Sequence, residues 1–104
     1  MNSIDVSELE ELRQNGAVEL VDVRTDAEVA RGMIAGAKHI PLQSLPARYT
    51  ELDAEAVTVV YCQSGGRSAQ ATAWLTDKGF GRIYNLQGGV LAWLRNGQSL
   101  SPPA

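Results

Sequence analysis

The chain contains one cysteine, Cys62, within the stretch VVYCQSGGRSAQAT. A thiol, two glycines and an arginine with four residues between Cys62 and Arg67 form a grouping suited to nucleophilic chemistry. The thiolate is the reactive form, and a free cysteine of pKa about 8.5 is only a few per cent ionised at neutral pH. The position of Cys62 addresses that problem. It follows an apolar, β-branched run, AVTVVY, and precedes a helical pattern from Arg67 to Lys78 that Gly79 stops. The unpaired N–H groups and the dipole of a helix start favour an anion there. Gly65 and Gly66 let the backbone curl so that successive amides face inward as an anion nest. Arg67 adds a fixed positive charge. No general base is then required, and His39, the one histidine, has no sequence context tying it to Cys62.

The elements around this grouping alternate between two periods. Ile4 to Asn15 reads as a helix, with Asp5 as N-cap, Glu8 completing a capping box, and Ile4 and Leu9 as a hydrophobic staple. Ala17 to Val23 is strand-like and apolar on both faces. Thr25 and Glu28 form a second capping box for a short helix ending at Gly32. AKHIPL is a short strand ended at Pro41, and Ser44 to Leu52 is a helical turn or two. RIYNL is another strand, VLAWLRN a last helix, and residues 97–104 a frayed tail. Trp74 and Trp93 lie on helical apolar faces and belong to the core. Strands alternating with helices predict one α/β domain over residues 1–104, with its core at about 4–95 and a mainly parallel sheet. In such folds function sits beyond the carboxyl ends of the strands. Asp22 to Thr25 and Cys62 to Ser68 both fall there, so Asp22 and Arg24 are possible site-lining residues.

Composition excludes several classes. With 104 residues, 44% hydrophobic and 20% charged, the chain can bury a core without staples. A lone cysteine makes no internal disulfide, and a reduced, cytoplasmic setting is expected. No run has the length of a membrane span, and MNSIDVSELEELRQ lacks an apolar signal core. A net charge of -3 argues against a general nucleic-acid binder. Eight of the twelve acids lie in the first 28 residues, so the Cys62 stretch sits in the basic part of the sequence. That favours an anionic substrate.

LVDVRTDAEVARGMIAGAKHIPL followed by VVYCQSGGRSAQATAWLTDKGFGRIYNLQGGVLAW resembles a single rhodanese domain over about Ile4 to Leu94. The resemblance implies a parallel five-stranded sheet flanked by helices, and a sulfurtransferase whose cysteine accepts sulfane sulfur as a persulfide. By it, Cys62 is the nucleophile, the amides of Gln63, Ser64, Gly65, Gly66, Arg67 and Ser68 cradle the persulfide, and Arg67 holds an anionic donor such as thiosulfate. The acceptor would be cyanide, a thiol or a sulfur-acceptor protein, with no cofactor and no metal. Asp22 and Arg24 match the other strand-end motif of the family. Met33 stands where the family often has histidine, at a position that reads as structural. A single cysteine suits double displacement, because no resolving thiol can trap the persulfide.

Two other readings stand beside this one. Cysteine-dependent phosphatases and arsenate reductases resemble it but have five residues between cysteine and arginine, a wider cradle than the four here. Non-catalytic rhodanese-like binding modules usually lose the cysteine, which this chain keeps.

Overall fold

Two apolar runs form the middle of the sheet. In the computed structural model, which describes residues 2–103, β4 (Thr58–Tyr61) is buried along its whole length and β2 (Glu19–Asp22) along all but its first residue. They pair in parallel, Leu20 opposite Val59 and Asp22 opposite Tyr61. β5 (Ile83–Leu86) flanks β4, β3 (Lys38–His39) flanks β2, and β1 (Ser3–Ile4) closes the far edge against β5. The order is β1-β5-β4-β2-β3, and every pairing is parallel. The expected parallel five-stranded α/β fold is therefore observed.

Alternation along the strands sends successive side chains to opposite faces. Val21 and Val60 join Ile40, Leu45 and Leu75 on one face. Leu20, Val59 and Tyr61 join Leu9, Leu86 and Trp93 on the other. Burying each such side chain contributes about 1.5–3 kcal/mol, which is why the central strands carry no exposed polar face. Trp93 is buried, and Trp74 packs against the first cluster, edge-on to Tyr49 at 5.3 Å between centroids.

Helices cover both faces: α1 (Val6–Asn15), α2 (Asp26–Ala30), α3 (Leu45–Arg48), α4 (Gly66–Asp77) and α5 (Gly89–Arg95). Both expected capping boxes form, Asp5 with Glu8 and Thr25 with Glu28. The Ser44–Leu52 segment is broken into α3 and flanking 3-10 turns, with Pro46 in the first turn of α3, where its missing N–H costs no intrahelical bond.

Two expectations need correction. Ile4 is not the start of a helix but the last residue of the edge strand β1, its register set by Leu86, and α1 begins at Val6. Two residues are too few to show a period, so sequence alone could not separate strand from helix entry. The tail is not frayed at residues 99–101. Ser101 and Met33 exchange both backbone hydrogen bonds at 2.8 Å, Trp93 Nε1 donates to the Ser99 carbonyl at 2.9 Å, and Leu100 packs on the second cluster. Met33 is buried and its role in this bridge is structural.

Candidate active site

Cys62 follows the last residue of β4, and α4 begins four residues later. Its side chain is 1% exposed. The loop between them turns through Gly65, whose φ of 113° lies where only glycine is at ease. That turn brings amides onto the sulfur. The Gly65 N–H donates to Sγ at 3.1 Å and the Ser68 N–H at 3.4 Å, and the Ser68 hydroxyl lies 3.4 Å from Sγ.

The carbonyls of the loop are turned the other way by α5. The N–H groups of Val90 and Leu91 donate to the carbonyls of Cys62 and Gln63 at 3.0 and 3.1 Å. The free donors of one helix start thus hold the loop carbonyls outward and leave the amides facing in. Gly89 permits the approach, since a Cβ there would stand 2.2 Å from the Cys62 carbonyl oxygen.

These contacts set the ionisation of Cys62. Burial pushes the thiol up, but the Ser68 hydroxyl and the amides of Ser68, Gly65 and Ser64 outweigh it, and the thiol is held below its ordinary value. The expected direction is met by dipoles more than by charge. Arg67 is raised first by its hydrogen bonds to Glu28, and only more weakly by the Cys62 charge.

Arg67 reaches the site already paired. Its Nη1 and Nη2 donate to the two carboxylate oxygens of Glu28 at 2.7 and 2.9 Å. Arg67 holds Glu28 down to about 2, aided by hydrogen bonds from Thr25. Gln63, Ser64 and Gly66 complete the loop, and Gln63 lines the cleft beside α2. Asp22 is fully buried and serves to fix Arg24. Its carboxylate accepts from Arg24 Nε at 3.1 Å and Nη2 at 2.8 Å, and from the Arg24 amide at 2.9 Å. Arg24 Nη2 also donates to the Gly32 carbonyl at 2.7 Å, and its guanidinium lies 5.8 Å from the Tyr61 ring centroid. His39 belongs to this support, its Nε2–H donating to the Arg24 carbonyl at 2.7 Å.

Sequence reasoning missed two residues. The sequence pattern gives Glu28 a capping role alone, although its place after the β2 strand end puts it beside the loop. Asn85, on β5, accepts from the Ser68 hydroxyl at 2.5 Å and donates to the Gly65 carbonyl at 3.3 Å. An asparagine inside an apolar strand was the available signal.

Comparison with known proteins identifies the family. Residues 5–96 match the Rhodanese-like domain. The chain is 43% identical over 104 residues to a sulfurtransferase of Allochromatium vinosum, covering 99% of this chain and 97% of that protein. It is 39% identical over 90 residues to the thiosulfate sulfurtransferase GlpE of Ectopseudomonas mendocina, covering 86% and 82%. The crystal structure of a rhodanese-like domain protein from Staphylococcus aureus superposes over both whole chains with a TM-score of 0.88 at 34% identity. The family match, the identities and the superposition agree, and the chain belongs to the rhodanese-like domain family.

Proposed function

We propose that the protein is a thiosulfate sulfurtransferase working through a persulfide on Cys62. The observation that carries this reading is a buried thiol held below its ordinary value by inward amides and the Ser68 hydroxyl. Relatives named thiosulfate sulfurtransferase support the choice of donor. The Cys62 thiolate attacks the outer sulfur of thiosulfate. The S–S bond of the donor breaks and sulfite leaves with its electron pair. A new S–S bond forms on Cys62, with the negative charge on the terminal sulfur. Cyanide or a thiolate then attacks that sulfur, and Cys62 leaves as the thiolate from which it began. Electrons balance in each half, so the transfer needs no external oxidant or reductant. Arg67, paired with Glu28, braces the start of α4, and the amides of Gln63 to Ser68 stabilise the terminal sulfur.

The test is a thiosulfate:cyanide assay together with intact mass after thiosulfate treatment. Wild type gains one sulfur atom and forms thiocyanate, whereas Cys62→Ser does neither. Hydrolysis of aryl phosphate or reduction of arsenate without sulfur transfer would overturn the reading in favour of oxyanion chemistry.

A further inference from the structure

Arg67 is engaged by Glu28, which raises the question of what receives an anionic donor. A cleft of about 190 Å³ opens beside the cysteine loop, lined by Arg24, Glu28, Arg31, Gln63, Val90 and Leu100. At about 30 Å³ per water, it holds a small oxyanion with a few waters.

The lining divides into groups already satisfied and groups left over. Both oxygens of Glu28 are taken by Arg67, so that carboxylate is neutralised. Arg24 is neutralised by Asp22, and its Nε and Nη2 are engaged. No described residue accepts from Arg24 Nη1. Among the described residues no sealed side-chain nitrogen lacks a partner, so Nη1 meets the cleft. Arg31 is exposed, and its guanidinium has no hydrogen bond or ion pair with any described residue. Val90 and Leu100 supply an apolar wall, and the Met33–Ser101 bridge fixes the segment carrying Leu100. The net positive charge of the cleft is therefore that of Arg31, with donors added by Arg24 Nη1 and Gln63 next to the nucleophile.

Resting on the persulfide reading above, we propose that this cleft is the subsite for the anionic end of the sulfur donor. Arg31 is its charge-selecting residue, and Arg24 Nη1 and the Gln63 amide orient the oxyanion. The chemical class is a small oxyanion bearing a transferable sulfur. Arg31 lies at the rim, so it attracts the anion without having to be desolvated.

The experiment compares alkylation of Cys62 by iodoacetate and iodoacetamide, which share a leaving group and differ by one negative charge. Arg31→Gln should lower the iodoacetate rate about threefold to tenfold and leave the iodoacetamide rate unchanged. Arg82→Gln, a change at the opposite end of the sheet, should alter neither. With thiosulfate and cyanide, Arg31→Gln should raise the thiosulfate KM by a similar factor at constant kcat, with the cyanide KM unmoved. Equal effects on both alkylating reagents, or no effect, would overturn the subsite. An effect on iodoacetate together with a rise only in the KM of an anionic thiol acceptor would move the cleft from donor to acceptor and refute the proposal as stated. A wild-type enzyme inert toward thiosulfate would sink the functional reading, while the alkylation ratio would still report on the cleft.

Discussion

Gly89 controls which way the cysteine loop faces. A Cβ there would stand 2.2 Å from the Cys62 carbonyl oxygen and 2.9 Å from the carbonyl carbon and oxygen of Gln63. The closest of these is more than about 1 Å short of ordinary contact. All three obstacles are backbone, so no rotamer change relieves them, and α5 must separate from the loop. That separation breaks the Val90 and Leu91 hydrogen bonds to the two carbonyls, each worth about 0.5–1.5 kcal/mol. A φ of 51° at Gly89 adds a left-handed penalty of about 1–2 kcal/mol for an L residue. Gly89→Ala should therefore destabilise the fold by about 2–5 kcal/mol. For a domain of this size that lowers Tm by about 10 °C or more. With its carbonyls released, the loop loses the force that keeps its amides inward. Sulfur transfer should fall about 100-fold for a displacement near 1 Å, and the pH midpoint of Cys62 alkylation should rise. Gly66→Ala is the matched control: its Cβ would meet nothing within 4 Å, and its φ is not positive. At the first position of α4, alanine should be neutral or stabilising by up to about 1 kcal/mol. Thermal denaturation and a pH-rate profile of iodoacetamide alkylation decide the matter. If Gly89→Ala melts and alkylates like wild type while Gly66→Ala does not, the account of the loop is wrong.

Ser68→Ala removes the strongest of the groups opposing burial at Cys62, so the alkylation midpoint should move up toward an ordinary thiol, with circular dichroism unchanged. Glu28 has a folded pKa of about 2 against an ordinary 4.5. Its contribution to stability is therefore complete above about pH 4.5 and is lost as pH falls through about 2. Glu28→Gln lacks it, so acid titration of urea stability should show the gap between wild type and variant closing over that window. Because Glu28 is 27% exposed, the gap should be about 1 kcal/mol or less.

Sequence revealed the parts of the molecule whose causes are local. The apolar runs of β2 and β4, the two capping boxes and the thiol at a strand end each follow from neighbours in the chain. The paired glycines were legible as punctuation but not by role: Gly65 makes the turn and Gly89 the close approach, whereas nothing approaches Gly66. The difference lies in what the fold brings near each one. The Arg67–Glu28 pair joins residues 39 apart in sequence, and the Ser68–Asn85 contact joins residues 17 apart. No period or motif encodes such pairs. The bonds of the tail run to Met33 and Trp93, and a polar, proline-ended sequence gives no sign of a partner so far away.

The source of the charge stabilisation also bears on how the site turns over. A neutral cradle of amides and a hydroxyl favours an anion without holding a permanent counter-ion at the sulfur. In the reaction proposed here, the charge begins on Sγ, moves to a terminal sulfur about 2 Å farther out, and leaves in part as sulfite. Amides arrayed along a loop can serve both sulfur positions, since each N–H acts over a short range and no single one carries the whole interaction. The Ser68 hydroxyl adapts further. It has one hydrogen and three acceptors within reach: Sγ at 3.4 Å, the Gly65 carbonyl at 3.2 Å and Asn85 Oδ1 at 2.5 Å. When the charge has left Sγ, that hydrogen has another acceptor and is never stranded in the buried site. A bare guanidinium beside Sγ would instead bind the departing dianion and slow its release. Pairing Arg67 with Glu28 avoids this, because the carboxylate offsets the cation while the pair still braces the start of α4 against α2.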